Sequence, residues 1–383
     1  MRSSSTPKGL HGILDHFSEL KDPRVVGRCE YPLETVLVIA MLGVLCGAEG
    51  WTDLELFAAS KHAWLRTFLT LPIQPPREGV FRRVFSAIRP AAFETCMRSW
   101  VQSLALPLDG QVVAFDGKAL RGAIARAFDR TALHQVHAWA GAQGLLLAQA
   151  AVNGAPEEGE AIRTLLEALD LEEAIVTMDA GNATQATIAA VVEAKADYVV
   201  TVKANRKALH DAMRAAFDDE ELAATNAKTV FHQTAEQGHG RAEVRQVWAA
   251  PASRLGKLAG HWPGLRSIVR IDRTRVLGDG SVEQRTHYFG SSLPPRVRRL
   301  GEVIREHWEV ENGLHWSLDV QMGEDRCTIR DTQGATNFAL VRRIALMLIK
   351  RDEEKKKRGV KAKQKAAGWD HQYLLHLLTR GIA

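Results

Sequence analysis

Three acidic residues, Asp116, Asp179 and Glu311, stand in settings that could do chemistry. Asp116 closes the apolar run Val112-Val113-Ala114-Phe115, and Asp179 closes a second run, Ala174-Ile175-Val176-Thr177-Met178. Glu311 lies in the segment Arg305-Glu306-His307-Trp308-Glu309-Val310-Glu311-Asn312. Two carboxylates at strand ends and a third from a later helix could hold a pair of divalent metal ions. Such a pair cuts or joins phosphodiester bonds. Oxygen-only ligands suit Mg²⁺ or Mn²⁺ rather than zinc.

Each acid also has an ordinary structural explanation. An Asp at a strand end is often a turn residue or a helix cap. After Asp116, Gly117 and Gly122 permit a tight turn and close approach to a ligand, and Lys118 and Arg121 could neutralise a phosphate. Asn182 is as good a cap as Asp179 for the helix that follows. Glu311 is the strongest single case. Leu300, Ile304, Trp308, Leu314 and Leu318 mark the inward face of a helix, and at about 100° per residue Glu311 falls on that face while Glu306 and Glu309 do not. A carboxylate on a core-facing stripe is costly unless an Arg, a Lys or a metal partners it. The same stripe assigns Trp308 and Trp316 to the core rather than to base stacking. His307 and His315 are eight residues apart, not the i, i+4 spacing of helical zinc ligands, so they are expected to pack or to touch phosphate or the acids.

The elements that must position these residues can be read from periodicity. Residues from about 10 to 106 read as helical, with a strongly apolar helix from Leu33 to Leu45 and a core of its own. Gln111–Phe115, Leu133–Ala140 and Leu145–Val152 read as strands, then Ala161–Leu169 as a helix, Ala174–Met178 as a strand, Thr184–Ala194 as a helix and Tyr198–Lys203 as a strand. That order predicts an α/β mixed sheet with helices on its faces, where chemistry gathers at strand ends. From Lys207 to Pro295 the pattern becomes β-rich, with strands at Ala242–Trp248, Arg266–Arg275 and Glu283–Gly290 and a turn at Gly278-Asp279-Gly280. Helices resume near Arg298 and run to Lys350. Lys355–Lys365 reads as a basic loop and His371–Leu378 as a closing helix. The expected divisions are 1–106, 107–206, 207–297, 298–350 and 351–383.

The chain has 383 residues, 46% hydrophobic and 25% charged, with a net charge of +5. That composition is globular, and the mild positive charge suits a nucleic-acid partner. Cys29, Cys46, Cys96 and Cys327 form no CxxC pair, which argues against a zinc knuckle and for a reducing compartment. The N-terminus lacks a secretory signal pattern. The apolar stretch from Val36 to Ala48 is too short to span a bilayer.

Five segments, FDGKALRG, IVTMDAGNATQ, YVVTVKANRKAL, GHGRAEVR and HWEVENGLHWSLDVQMGEDRC, resemble the DDE-type bacterial insertion-sequence transposases, nearest the H-repeat-associated group. The likeness extends to LHGILDHFSELKDPRVVGRCEYPLETVLVIAMLGVLCGAEGW and GVKAKQKAAGWDHQYLL. It implies a ribonuclease H-like mixed-sheet core, interrupted by a β-rich insertion and preceded by an all-helical N-terminal domain. It also implies that Asp116, Asp179 and Glu311 are catalytic acids holding two Mg²⁺ (or Mn²⁺) ions. The 132 residues between Asp179 and Glu311 leave room for the insertion.

The partners implied are double-stranded DNA, at element ends and target, and a second copy in a homodimer on that DNA. A cytoplasmic, nucleoid-associated bacterial protein follows from the same likeness. Expected DNA contacts are Lys118, Arg121, Lys203, Arg206, Lys207, Arg241, His307 and His315, and the N-terminal helices are the expected reader of the ends. The run Lys355-Lys356-Lys357-Arg358 is either a solvated loop or a further contact. The chain departs from the pattern Tyr-x2-Arg-x3-Glu-x6-Lys of related cut-and-paste enzymes, because Ile304, His307, Glu311 and Leu318 occupy those places. Arg305, His315 or Lys203 are candidate substitutes. Two other readings share the same acids: a metal-dependent nuclease without strand transfer, and a catalytically impaired, co-opted DNA-binding protein.

Overall fold

Apolar residues at helical spacing build the N-terminal segment from α1 (Lys8–Phe17), α2 (Leu33–Leu45), α3 (Trp51–Ser60), the short α4 (His62–Leu65), α5 (Glu78–Ala87) and α6 (Pro90–Leu104). The structure is a computed structural model, which describes residues 8–25, 27, 29–120, 133–218, 230–238, 241–277 and 279–380. The α2 helix is buried on every side from Thr35 to Leu45, which its uninterrupted apolar sequence requires. No helix among the described residues is long and apolar enough to cross a membrane.

Next come β1 (Val112–Leu120), β2 (Leu133–Ala140), β3 (Leu145–Val152), α7 (Glu158–Ala168), β4 (Ile175–Met178), α8 (Gln185–Glu193), β5 (Asp197–Val202) and α9 (Lys207–Asp218). The β-rich segment supplies β6 (Val230–Gly238), β7 (Arg241–Pro251), β8 (Ser267–Val276) and β9 (Val282–Ser291). Sequence periodicity missed β6. The closing helices are α10 (Val297–His307), α11 (Thr332–Lys350), α12 (Val360–Trp369) and α13 (His371–Arg380). Lys361–Lys365 is therefore helical rather than loop. Lys363 is buried in α12, and its Nζ donates to the carbonyls of Ile349 and Asp352 at 2.9 Å each.

All nine strands share one mixed sheet in the order β3-β2-β1-β4-β5-β9-β8-β7-β6. The first five have the ribonuclease H-like arrangement: β2 antiparallel to its neighbours β1 and β3, then β1, β4 and β5 parallel. The insertion continues the sheet, because β9 pairs antiparallel with β5 from Val199↔Ser291 to Val202↔Tyr288.

The N-terminal helices do not bury a core of their own. Their apolar side chains join one cluster with the inner face of β1–β5 and with α11. In α11 every residue from Gly334 to Ile349 is buried, and α11 packs on α2, α5, α6 and β3. Its polar residues are satisfied by the N-terminal helices: Asn337 Nδ2 donates to the carbonyls of Phe85 (2.7 Å) and Ile88 (2.8 Å), and Arg342 donates to Glu49 O at 2.8 Å. Removing the helical segment would expose these groups and the apolar face they anchor.

Candidate active site

Asp116 lies inside β1, opposite His137 of β2, and not in a turn. The strand continues to Leu120, so the tight turn expected at Gly117 does not form. Gly117 instead leaves room for the Glu158 carboxylate: a Cβ there would stand 2.1 Å from Oε1. The parallel pairing of β1 with β4 ends at Phe115↔Met178. Asp116 and Asp179 are each the next residue beyond that pair. They therefore face each other across adjacent parallel strands, whose spacing is about 4.8 Å. Asp179 does not cap α8. Thr184 does, its side chain accepting from Thr187 N at 3.1 Å, while Asn182 donates to Glu158 Oε2 at 3.1 Å.

Glu311 is brought to this edge, but not by the register expected. The chain from Val310 to His315 and from Ser317 to Gln321 is π-helical. Its i→i+5 bonding widens each turn, so side chains from Val310 onward depart from the 100° count. Val310 and Leu314 turn inward. Glu311 is exposed, as are Trp308 (43%) and Trp316 (50%). The core assignments of Glu311, Trp308 and Trp316 are thus overturned. π turns are often found at functional sites.

The three acids feel one another. Burial, then the negative charges of Asp179 and Glu311, push the Asp116 carboxyl up to about 7. Asp179 is held below the ordinary carboxylate range, chiefly by His307, with Lys203 adding to the effect. His307 Nε2 stands 3.8 Å from Asp179 Oδ1, and its Nδ1 is 2.9 Å from Thr177 Oγ1. His315 Nδ1 is 3.5 Å from Asp116 Oδ2, and its Nε2 is 3.0 Å from His137 Nδ1. Burial, then the nearby Lys118, drives the His315 imidazole down to about 3, so it is neutral. Two histidines thus stand against two of the acids from the same late helical segment.

Lys118 is not available to DNA. Its Nζ is buried between Asp319 Oδ1 and Glu324 Oε2, at 2.5 Å each. Glu324 also faces the buried Arg343 at 3.4 Å, and Arg343 donates to Gln135. Burial alone would raise Glu324; Arg343 and Lys118 instead hold it down at about 2. Lys203 and Lys207 are exposed, Lys207 pairing with Asp211 at 2.6 Å. Arg206 is half-buried, its Nε 3.4 Å from Ala183 O. Arg121 and the Arg241 side chain lie outside the described residues.

Sequence reading missed His137, Gln135, Glu158, Glu324 and Arg343. A signal existed for the first two: Gln135 and His137 alternate with Val136 and Ala138 in a strand that is buried on both faces. Glu324 and Arg343 had none, because their pairing joins residues remote in sequence.

The donor set fits a hard divalent cation in kind: carboxylate oxygens only, with one carboxyl raised by burial and then by the crowding of like charges. Among the described residues no three His, Cys, Asp or Glu side chains converge as ready metal ligands.

The sheet order, with Asp116 and Asp179 just past the last β1–β4 pair, gives the chain a ribonuclease H-like mixed-sheet core. Residues 107–348 match the family described as Transposase DDE domain, and residues 14–101 match the one described as DDE_Tnp_1-associated. The chain belongs to the DDE transposase family. It is 30% identical to “Putative transposase YncI” of Escherichia coli O157:H7, over 97% of this chain and 95% of that one. It is also 30% identical to “H repeat-associated putative transposase YhhI” of Escherichia coli K12, over 97% and 98%. A fainter likeness, with a TM-score of 0.41 at 11% identity over 98% of this chain and 79% of the other, is to a piggyBac transposase synaptic complex with hairpin DNA.

Proposed function

We propose that this chain nicks DNA at the ends of an insertion element and joins those ends to target DNA, using two divalent ions, Mg²⁺ or Mn²⁺. The observation that carries the reading is the placement of Asp116 and Asp179 one residue beyond the last β1–β4 pair, with Glu311 close enough to raise Asp116. Asp116, Asp179 and Glu311 would hold the ions. When bound, such ions lower the pKa of an attacking water or 3′-hydroxyl and stabilise the leaving oxygen. His307 and His315 orient Asp179 and Asp116. His307 occupies the place where related enzymes carry an arginine, and its contact with Asp179 supports a replacement role. Lys203, exposed and near enough to help lower the Asp179 carboxyl, would meet a phosphate beside the same acid. The same reading makes the protein a DNA-bound homodimer that acts at the bacterial nucleoid, since two element ends must be handled together.

The test is a strand-transfer assay with a duplex carrying the element end and a free 3′-hydroxyl, in Mg²⁺. Joined product that disappears in Asp116→Asn supports the reading. Cutting without joining would reduce the protein to a nuclease, and DNA binding with no metal-dependent cutting would leave a co-opted binding protein.

A further inference from the structure

The insertion half of the sheet carries a charged device separate from the acids. One face of β7, β8 and β9 is apolar where α10 covers it, at Val247, Ile271 and Phe289. Further along the same strands that face becomes cationic. Arg245 is the direct register partner of Arg273, and Arg273 of Arg285. Three guanidinium side chains therefore stand side by side across three strands, each about 5 Å from the next. Like charges directly opposite destabilise a sheet. Glu243 offsets part of this by engaging Arg245 and Arg275. Arg273 has no ion-pair partner among the described residues. Burial and the neighbouring Arg275 and Arg285 work against its charge. A row built at this cost calls for an anion from outside.

The row lines a cleft of about 550 Å³ whose opposite wall is α10 and the start of the π segment, including Trp308 and Glu311. The cleft thus leads from the cations to one of the three acids, with an exposed indole beside it. A basic groove with an accessible aromatic face is the pattern of single-strand binding. Its volume is of the small-ligand class, room for about one or two nucleotides. It has no room for a duplex, whose major groove alone is about 12 Å wide.

We infer that Arg245, Arg273 and Arg285 bind the phosphates of an unpaired DNA strand, opened beside the cut and led past Trp308 to the acids. The direction of the strand rests on the proposed function; the affinity for unpaired DNA does not.

The experiment is fluorescence anisotropy in EDTA, so that nothing is cut, with a 12-nucleotide single strand and with the same sequence as a duplex, across a salt series. The paired substitution R273Q/R285Q is expected to weaken single-strand binding about tenfold or more. The salt slope should fall by roughly 1.4, about 0.7 for each single-strand phosphate that is no longer neutralised. Duplex affinity should change less than about twofold. R273K/R285K should keep the slope, since it keeps the charge. Relief of like-charge crowding predicts that R273Q/R285Q unfolds no earlier than wild type, so a misfolded variant does not confuse the result. Unchanged single-strand affinity and slope would overturn the inference, as would equal weakening on single strand and duplex. In the separate cleavage assay in Mg²⁺, if Asp116→Asn still cuts DNA while R273Q/R285Q no longer holds the single strand in EDTA, the proposed chemistry fails and the strand site stands.

Discussion

The parallel strands β1 and β4 are followed or interrupted by carboxylates, whereas β7, β8 and β9 carry arginines in register across one face. Both clusters crowd like charges, and both show the same strain with opposite sign. Asp116 is pushed up to about 7, partly by Asp179 and Glu311, and Arg273 is pulled down, partly by Arg275 and Arg285. A third charged group, Lys118 with Asp319, Glu324 and Arg343, lies on the β1–β2 side of the sheet, away from the arginines, and is buried yet paired within itself. The contrast separates two uses of charge. Groups neutralised by their own neighbours hold the fold together, and the groups left crowded are those proposed to meet a ligand of opposite sign.

The comparison breaks most sharply at the acids. Asp116→Asn, Asp179→Asn and Glu311→Gln are each expected to lower Mg²⁺-dependent cleavage by about 10³-fold or more, a cost of about 4 kcal/mol in the barrier, with DNA affinity retained. A cleavage assay beside a binding titration checks this; retained cutting would remove that acid from the site.

Next comes the self-neutralised group. Glu324→Gln leaves Lys118 and Arg343 buried without a full counter-charge, and is expected to cost about 3–5 kcal/mol of stability, read by urea denaturation at pH 7. The Glu324 carboxyl is depressed from 4.5 to about 2. Its contribution is therefore full above pH 4.5 and is lost as pH falls through about 2. The gap between wild type and Glu324→Gln should narrow over that window. A gap independent of pH would place the defect in packing rather than charge.

An effect of comparable size and opposite sign is expected at Asp116 without metal. Its carboxyl is raised from 3.8 to about 7, so the native state binds the proton more tightly than the unfolded chain. The corresponding stability is present below pH 3.8 and lost as pH rises through about 7. In EDTA at pH 8, Asp116→Asn should be more stable than wild type by up to about 4 kcal/mol, at about 1.4 kcal/mol per pKa unit, and Mg²⁺ should stabilise wild type but not the variant. Thermal melts at pH 5 and 8, with and without Mg²⁺, decide it. The smallest effect belongs to Trp308→Ala. An exposed indole contributes less than about 1 kcal/mol, whereas the core position expected from helical spacing would cost about 3–5 kcal/mol.

Much of the fold was legible locally. The α2 helix from Leu33 to Leu45, β2 from Leu133 to Ala140 and β3 from Leu145 to Val152 fall where periodicity puts them, because their apolar patterns are continuous and bounded by Gly or Pro. The acids were visible because each stands out from the pattern around it. What failed did so for identifiable reasons. Counting 100° per residue put Glu311 and Trp308 inside; Glu311 lies outside in the π turn that starts at Val310, and Trp308 lies outside at the end of the preceding α-helix. The Gly117 turn gave way to a longer strand, because β1 still had β2 to pair with up to Leu120↔Leu133. Lys118, a basic residue beside an acid, looked like a phosphate contact until Asp319 and Glu324 arrived from 201 and 206 residues away.

The amino-acid sequence by itself determined the element types, the order of the three acids and the presence of a β-rich insertion, since these rest on short-range patterns. Only the tertiary structure decided that the insertion extends the sheet that carries the acids and that the N-terminal helices share one core with it. It alone set the arginines of β7, β8 and β9 side by side and turned Lys118 inward. Each of these depends on strand register or on ion pairs between distant segments, which no local period encodes.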